Sequence, residues 1–177
     1  MSILLTLLAI IAGVFVIILI AALFIRKEYI VQRQITINKT SRVVFDYIKY
    51  LKNQRHYSKW VMMDPDAKMD YRGTDGAEGF ISAWDSQNKN VGKGEQEIKK
   101  FTDGSRMDCE VRFEKPFKNV AQIYMEVVPI SENNTNVEWG MIGKNPYPFN
   151  LMNLFIPGML AKDLDTSLQA LKSNLEG

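Results

Sequence analysis

Side chains that do chemistry at neutral pH are scarce in this sequence. It holds one histidine, His56, and one cysteine, Cys109. A thiol nucleophile with an imidazole base would have to be that single pair, and the count excludes Cys/His zinc clusters. A lone cysteine closes no intrachain disulfide, which suits a reducing compartment or indifference to redox. Cys109 reads as a small buried hydrophobe and His56 as a surface group near a helix end. Asp64-Pro65-Asp66 brings two carboxylates together without calcium-loop spacing and reads as a turn. The glycines of GTDGAEG, Gly73 to Gly79, lack the strand-to-helix context and the Lys-Ser/Thr of a phosphate loop. No metal ligand set, cofactor site or catalytic residue is assigned.

What remains suits holding a molecule rather than transforming one. Alternation places Ser82 and Gln96 as polar groups on an otherwise apolar wall, where each could reach a guest. Trp84 and Trp139 would add indole N–H donors. Met107, Cys109, Met125 and Met141 would make the wall soft, and nine methionines in the chain fit that use. The competing reading for each is plain core packing. Glu126, Glu138 and the outward set Lys93, Glu95, Glu97 and Lys99 fall on the opposite face, so acid–base chemistry finds little inside.

The elements that must position these residues follow from periodicity. Tyr29 to Asn38 reads as a strand, and Thr40 or Ser41 caps a helix with the stripe Val44, Tyr47, Ile48 and Leu51. A second short helical piece runs into Tyr57 and Trp60. The period then changes to two over Lys68–Tyr71, Phe80–Trp84, Val91–Phe101, Ser105–Phe113, Val120–Ile130 and Thr135–Ile142, separated by turn clusters. Asp103-Gly104 and Asn133-Asn134 are hairpin signals. In Ser105 to Phe113, Met107, Cys109, Val111 and Phe113 share one face, while Arg106, Asp108, Glu110 and Arg112 share the other. A final helix with Leu160, Leu164, Leu168, Leu171 and Leu175 on one stripe is expected to cover the apolar face.

The link before that helix, Gly143 to Leu160, is unusually apolar for a connection. Pro146, Pro148, Phe149, Leu151, Met152, Leu154 and Phe155 would touch a bilayer or close the end of the core.

The start of the chain has its own character. Ser2 to Ile25 carries no charge and, at about 1.5 Å per residue, reaches about 34 Å, enough to cross a bilayer. We expect a membrane anchor at residues 1–25, a linker at 26–28 and one folded domain at 29–177; a cleaved signal peptide is the rival reading. Arg26, Lys27 and Arg33 follow the span, so the positive-inside rule places the domain in the cytoplasm. Across the chain, 46% of residues are apolar, 24% are charged and the net charge is +2, with both signs interleaved. A nucleic-acid footprint is not indicated.

The order of strand, two short helices, six-stranded meander and long helix resembles the helix-grip fold of the START-related, birch-pollen-allergen-like superfamily. More narrowly it resembles the polyketide cyclase/dehydrase and lipid-transport group. The motifs are VVFDYIKYLKNQRHYSKW at Val43 to Trp60, Gly76, Gly79 and Trp84, VGKGEQEI at Val91 to Ile98, RFEKPF at Arg112 to Phe117, NTNVEW at Asn134 to Trp139, and LDTSLQALK. The resemblance implies an α+β fold of about seven strands with a hydrophobic cavity, and binding of a lipid or other apolar small molecule. It also implies a place beside the cavity opening for the apolar link, whose residues Pro146 to Phe155 would then form a gate. It leaves open a cyclase or dehydratase, or a non-catalytic interaction module. The candidate ligand-binding set is Ser82, Trp84, Gln96, Met107, Cys109, Met125, Trp139, Met141, Phe149, Met152 and Phe155.

Overall fold

The computed structural model describes residues 3–102 and 104–177. Ser2, at the head of the apolar run, and Asp103, in the Asp103-Gly104 hairpin signal, lie outside the described residues. The first element, α1 (Ile3–Phe24), is apolar on every side, and nearly all of its side chains are exposed. A helix without a polar face has no orientation that satisfies water. Three residues join it to β1 (Glu28–Ile37).

Thr40 then starts α2 (Ser41–Ile48), its hydroxyl accepting from the Val43 N–H at 3.3 Å. Val44, Phe45 and Ile48 point inward. Leu51 is buried too, but it sits in a separate 3-10 turn, Leu51–His56, rather than on the α2 stripe. The Asp75 carboxylate explains the break: it accepts from the N–H groups of Leu51 and Lys52 at 2.8 and 3.2 Å, holding a new helix start there. A four-residue α3 (Lys59–Met62) follows.

The strands β2 (Lys68–Arg72), β3 (Ile81–Asp85), β4 (Lys93–Thr102), β5 (Arg106–Lys115), β6 (Asn119–Ser131) and β7 (Asn134–Lys144) pair antiparallel in the order β1-β7-β6-β5-β4-β3-β2. Each predicted strand is present, with ends shifted by at most two residues. Alternation holds along β5, where Met107, Cys109 and Val111 are buried, and along β7, where Val137, Trp139 and Met141 are. A bulge between Ile98 and Lys100 resets β4, so Phe101 returns to the inner face and meets Phe45 edge-on at 6.0 Å.

The last helix, α4 (Ile156–Glu176), lays Leu164, Leu168 and Leu171 into the core, with Leu160 and Leu175 half-buried at its ends. It runs along β1, fixed by Arg33–Asp165 at 3.2 Å, the Lys172 ammonium on the Thr36 carbonyl at 2.8 Å, and Glu176 accepting from the Asn38 N–H at 2.6 Å. The outer face of the sheet carries a charge lattice. Arg112 bonds Glu95 and Glu97 at 2.8 Å and Glu110 at 2.5 Å. Arg106 pairs with Asp108 and Glu126 and lies 4.0 Å from the centre of the Tyr124 ring.

Candidate functional site

Strand register sorts the inner face into transverse rows. One row, two to four residues in from the end where α1 joins, runs Ser82–Gln96–Val111–Ala121–Gly143–Tyr29. Its middle members, Val111, Ala121 and Gly143, carry small side chains or none. The Tyr29 ring lies over Gly143, where any added Cβ would collide with it. Burial raises the Tyr29 phenol above its ordinary value, so it remains an O–H at neutral pH. Ser82 and Gln96 are buried, and the side-chain nitrogen of Gln96 has no hydrogen-bond partner. An unpartnered buried amide costs about 1–3 kcal/mol, so its presence in a native core asks for a reason.

The next row inward holds Cys109, Ile123, Met141 and Val31. Burial pushes the Cys109 thiol up to about 12, with the neighbouring Gln96 side chain pulling the other way to a smaller extent. That approach does not complete a hydrogen bond for the Gln96 nitrogen. A thiol so raised is no nucleophile at neutral pH. Deeper still, Met107, Met125 and Trp139 share a row. Trp139 is packed edge-on by Tyr57 at 5.8 Å and Trp60 at 5.9 Å, and its indole N–H is buried without a partner. The Tyr57 hydroxyl points at the Met125 sulfur at 3.8 Å.

Of the candidate residues, Ser82, Gln96, Met107, Cys109, Met125, Trp139 and Met141 therefore share one buried face. Trp84 flanks it with its ring against Gly94, where a Cβ would come 2.7 Å from it, and edge-on to Phe113. Its expected donor role is corrected: the indole N–H bonds the Val91 carbonyl at 3.3 Å, which anchors the β3–β4 loop. Phe149, Met152 and Phe155 are not part of the buried face but 47–70% exposed. Glu138 accepts from the Tyr124 hydroxyl at 2.6 Å, Glu126 pairs with Arg106, and His56 meets Tyr47 at 3.3 Å. Both carboxylates sit on the outer face. Two open depressions lie elsewhere, about 460 Å³ beside α2 and about 760 Å³ beside the α1–β1 junction; neither is between sheet and α4.

The apolar link contains asparagines whose role composition and periodicity do not reveal. Asn150, fully buried in a 3-10 turn (Phe149–Leu154), donates to the Ala22 and Ile25 carbonyls at 2.6 and 2.8 Å. Asn153 donates to the carbonyls of Arg26 and Lys27 at 2.8 and 3.0 Å. The Asn145 N–H also reaches the Lys27 carbonyl at 2.8 Å, and its amide bonds Asn153 and Asn119. The end of α1 is thus capped by side chains from the far end of the domain. Asparagines spaced through a greasy link were the available signal.

A curved antiparallel sheet closed by one long C-terminal helix, with an apolar inner face and a charged outer one, defines a helix-grip protein. The chain belongs to the polyketide cyclase/dehydrase and lipid transport family, whose model matches residues 29–176. With it comes the START-related superfamily expected above. The fold is similar to norcoclaurine synthase of Thalictrum flavum, solved with dopamine and hydroxybenzaldehyde: 10% identity, 84% of this chain and 86% of that one, TM-score 0.64. It is also similar to a Thermobifida fusca protein (13% identity, 82% and 92% covered, TM-score 0.59) and to XoxI of Bacillus cereus (13%, 82% and 94%, TM-score 0.60). At these identities the likeness concerns the fold. No curated protein matches significantly.

Proposed function

We propose that this is a membrane-anchored domain that binds a lipid or other apolar small molecule carrying one polar group. The observation that carries the reading is the Gln96 amide nitrogen, buried without a partner in a row of small side chains on an apolar face. A guest's carbonyl or hydroxyl oxygen would complete it, with Ser82 directly beside it on β3. The guest is admitted by repacking of the flexible methionines Met107, Met125 and Met141, which adapt to irregular apolar shapes. Its affinity comes from buried apolar area, at about 25 cal/mol per Å² before association costs. In this reading residues 1–25 form the anchor, 26–28 the linker and 29–177 the binding domain. The basic residues after α1 support a cytoplasmic side for that domain. The family description, which includes lipid transport, supports the ligand class.

The test uses the full chain in lipid nanodiscs with a fluorescent fatty acid. Saturable binding, competed by unlabelled fatty acid and weakened in Gln96→Met, is expected. Failure to bind this probe, together with no lipid retained through extraction and mass spectrometry of the purified protein, would refute the reading.

A further inference from the structure

We propose that the end of the domain from which α1 leaves is seated in an anionic lipid surface, with the β7–α4 link inserted at acyl-chain depth and the β5–β6 tip as a second contact. The inference rests on α1 being a membrane span and concerns the surface around it.

Hydrogen bonding sets the depth. Asn150 and Asn153 tie the link to four carbonyls at and just past the end of α1, those of Ala22, Ile25, Arg26 and Lys27, so the link lies level with the last turn of the span rather than on a free arm. No charged residue occurs between Lys144 and Lys162. Within that interval Phe149, Leu154, Phe155 and Met159 are 61–70% exposed. An apolar patch of this kind, continuous with a transmembrane helix, has lipid as its neighbour by position.

Register identifies what else faces the same way. Glu28 pairs with Lys144, Ala121 with Gly143, Phe113 with Asn119 and Lys93 with Lys115, which puts the β5–β6 turn at the α1 end of the sheet. Phe117 at that turn is 74% exposed, between Lys115 and Lys118. An aromatic flanked by lysines suits the headgroup boundary. The depression of about 760 Å³ at the α1–β1 junction adds Arg26, Lys27 and Lys144 beside Ile30 and Ile142. Of the acids at this end, Glu28 pairs with Lys144 at 3.3 Å, Glu114 and Asp85 share Lys93 at 3.1 and 4.0 Å, and Asp64 accepts from the Ser86 hydroxyl, while Asp66 is exposed.

The experiment places an environment-sensitive fluorophore on single introduced cysteines in the full chain: Phe155→Cys, Phe117→Cys, Val14→Cys in the middle of α1, and Asn133→Cys in the exposed β6–β7 turn. Native Cys109 is fully buried, so a labelling ratio of one per chain also reports folding. In phosphatidylcholine vesicles containing phosphatidylserine, lipid nitroxides near the headgroup should quench the Phe155 and Phe117 probes. Nitroxides near the chain end should quench the Val14 probe, and neither should reach Asn133. Omitting phosphatidylserine should reduce quenching at Phe117. A Phe155 probe as unquenched as Asn133, with Val14 quenched, overturns the seat and leaves the anchor standing; an unquenched Val14 overturns both. Shielding of Phe155 from aqueous iodide without lipid quenching would put a second protein surface there and also overturn the proposal. Quenching at Phe117 that ignores phosphatidylserine overturns the anionic preference.

Discussion

Gln96→Met separates a ligand seat from an ordinary core position because the two predict different signs. Methionine matches glutamine in length and lack of branching, so the row Ser82–Gln96–Val111–Ala121 keeps its shape. In the empty protein the substitution removes a buried nitrogen that has no partner. An unpaired buried polar group costs about 1–3 kcal/mol, so a gain of about 1–2 kcal/mol in stability is expected. For a domain of this size each kcal/mol moves Tm by about 2–4 °C, giving a rise of about 2–8 °C by circular dichroism of the full chain in nanodiscs. Binding should move oppositely. Loss of one hydrogen bond to a guest's oxygen is worth about 1 kcal/mol, or about a fivefold weaker Kd for a fatty-acid probe, and much less for an aliphatic guest without that oxygen. A variant that melts lower and binds both guests unchanged would refute the reasoning, because the amide would then be serving the fold.

The remaining expectations test the frame around the seat. Gly140 lies directly under the Tyr124 ring, so Gly140→Ala should displace the ring, break its 2.6 Å bond to Glu138 and its contact with Arg106, and cost about 1–3 kcal/mol in thermal unfolding. Asn150→Ala should raise hydrogen exchange across 145–156 and leave β5 unchanged. Asn150→Asp should be worse, since a carboxylate would face two carbonyls at the negative end of α1. Acid should erode the outer lattice. Arg112 holds Glu95 and Glu110 below the usual carboxylate range, and Lys99, then Arg112, do so for Glu97. Depressed carboxylates stabilise the fold above the unfolded pKa, near 4.5, and that stability is lost as pH falls through the folded values. Arg112→Met should therefore lower Tm at pH 7 and flatten its dependence on pH below about 4.5; an unchanged acid slope would show the lattice to be inert.

Fold and inner face were legible in the sequence because both rest on period. Strands of period two with Met107, Cys109 and Val111 on one side, and a helix with leucines every three or four residues, bury those side chains by laying the leucine stripe on that face. Ser82 and Gln96 were found by counting along strands whose alternation holds. The failures are where a side chain bonds to something that periodicity does not encode. Leu51 left the α2 stripe because Asp75, far along the chain, captured two backbone N–H groups. Trp84 gave its indole N–H to a loop carbonyl seven residues away. Phe101 turned inward because of a bulge, a one-residue event with no compositional mark. Asn150 and Asn153 work across more than 120 residues of chain, a relation that only the folded register creates.

The distribution of good and poor packing in the domain has a physical logic. Burial is most complete away from α1, where Leu168, Leu171, Val137 and Ile37 are at most 1% exposed and α2 and α4 are tied down by caps and ion pairs. Toward α1 the row turns to Ser82, Ala121 and Gly143, with an amide left unpaired. Small side chains and an unsatisfied donor are local losses, and a marginally stable chain tolerates them only where other contacts over-determine the geometry. Two sets do so here. On the opposite side of the same strands, Arg112 bridges β4 to β5, fixing their register independently of the inner packing. At the strand ends, the asparagine bonds hold the start of β6, the residues after β7, the α1–β1 connection and the last turn of α1 together. The row nearest the proposed lipid surface is thus released from holding the sheet together. That freedom is what a seat for an adaptable apolar guest requires.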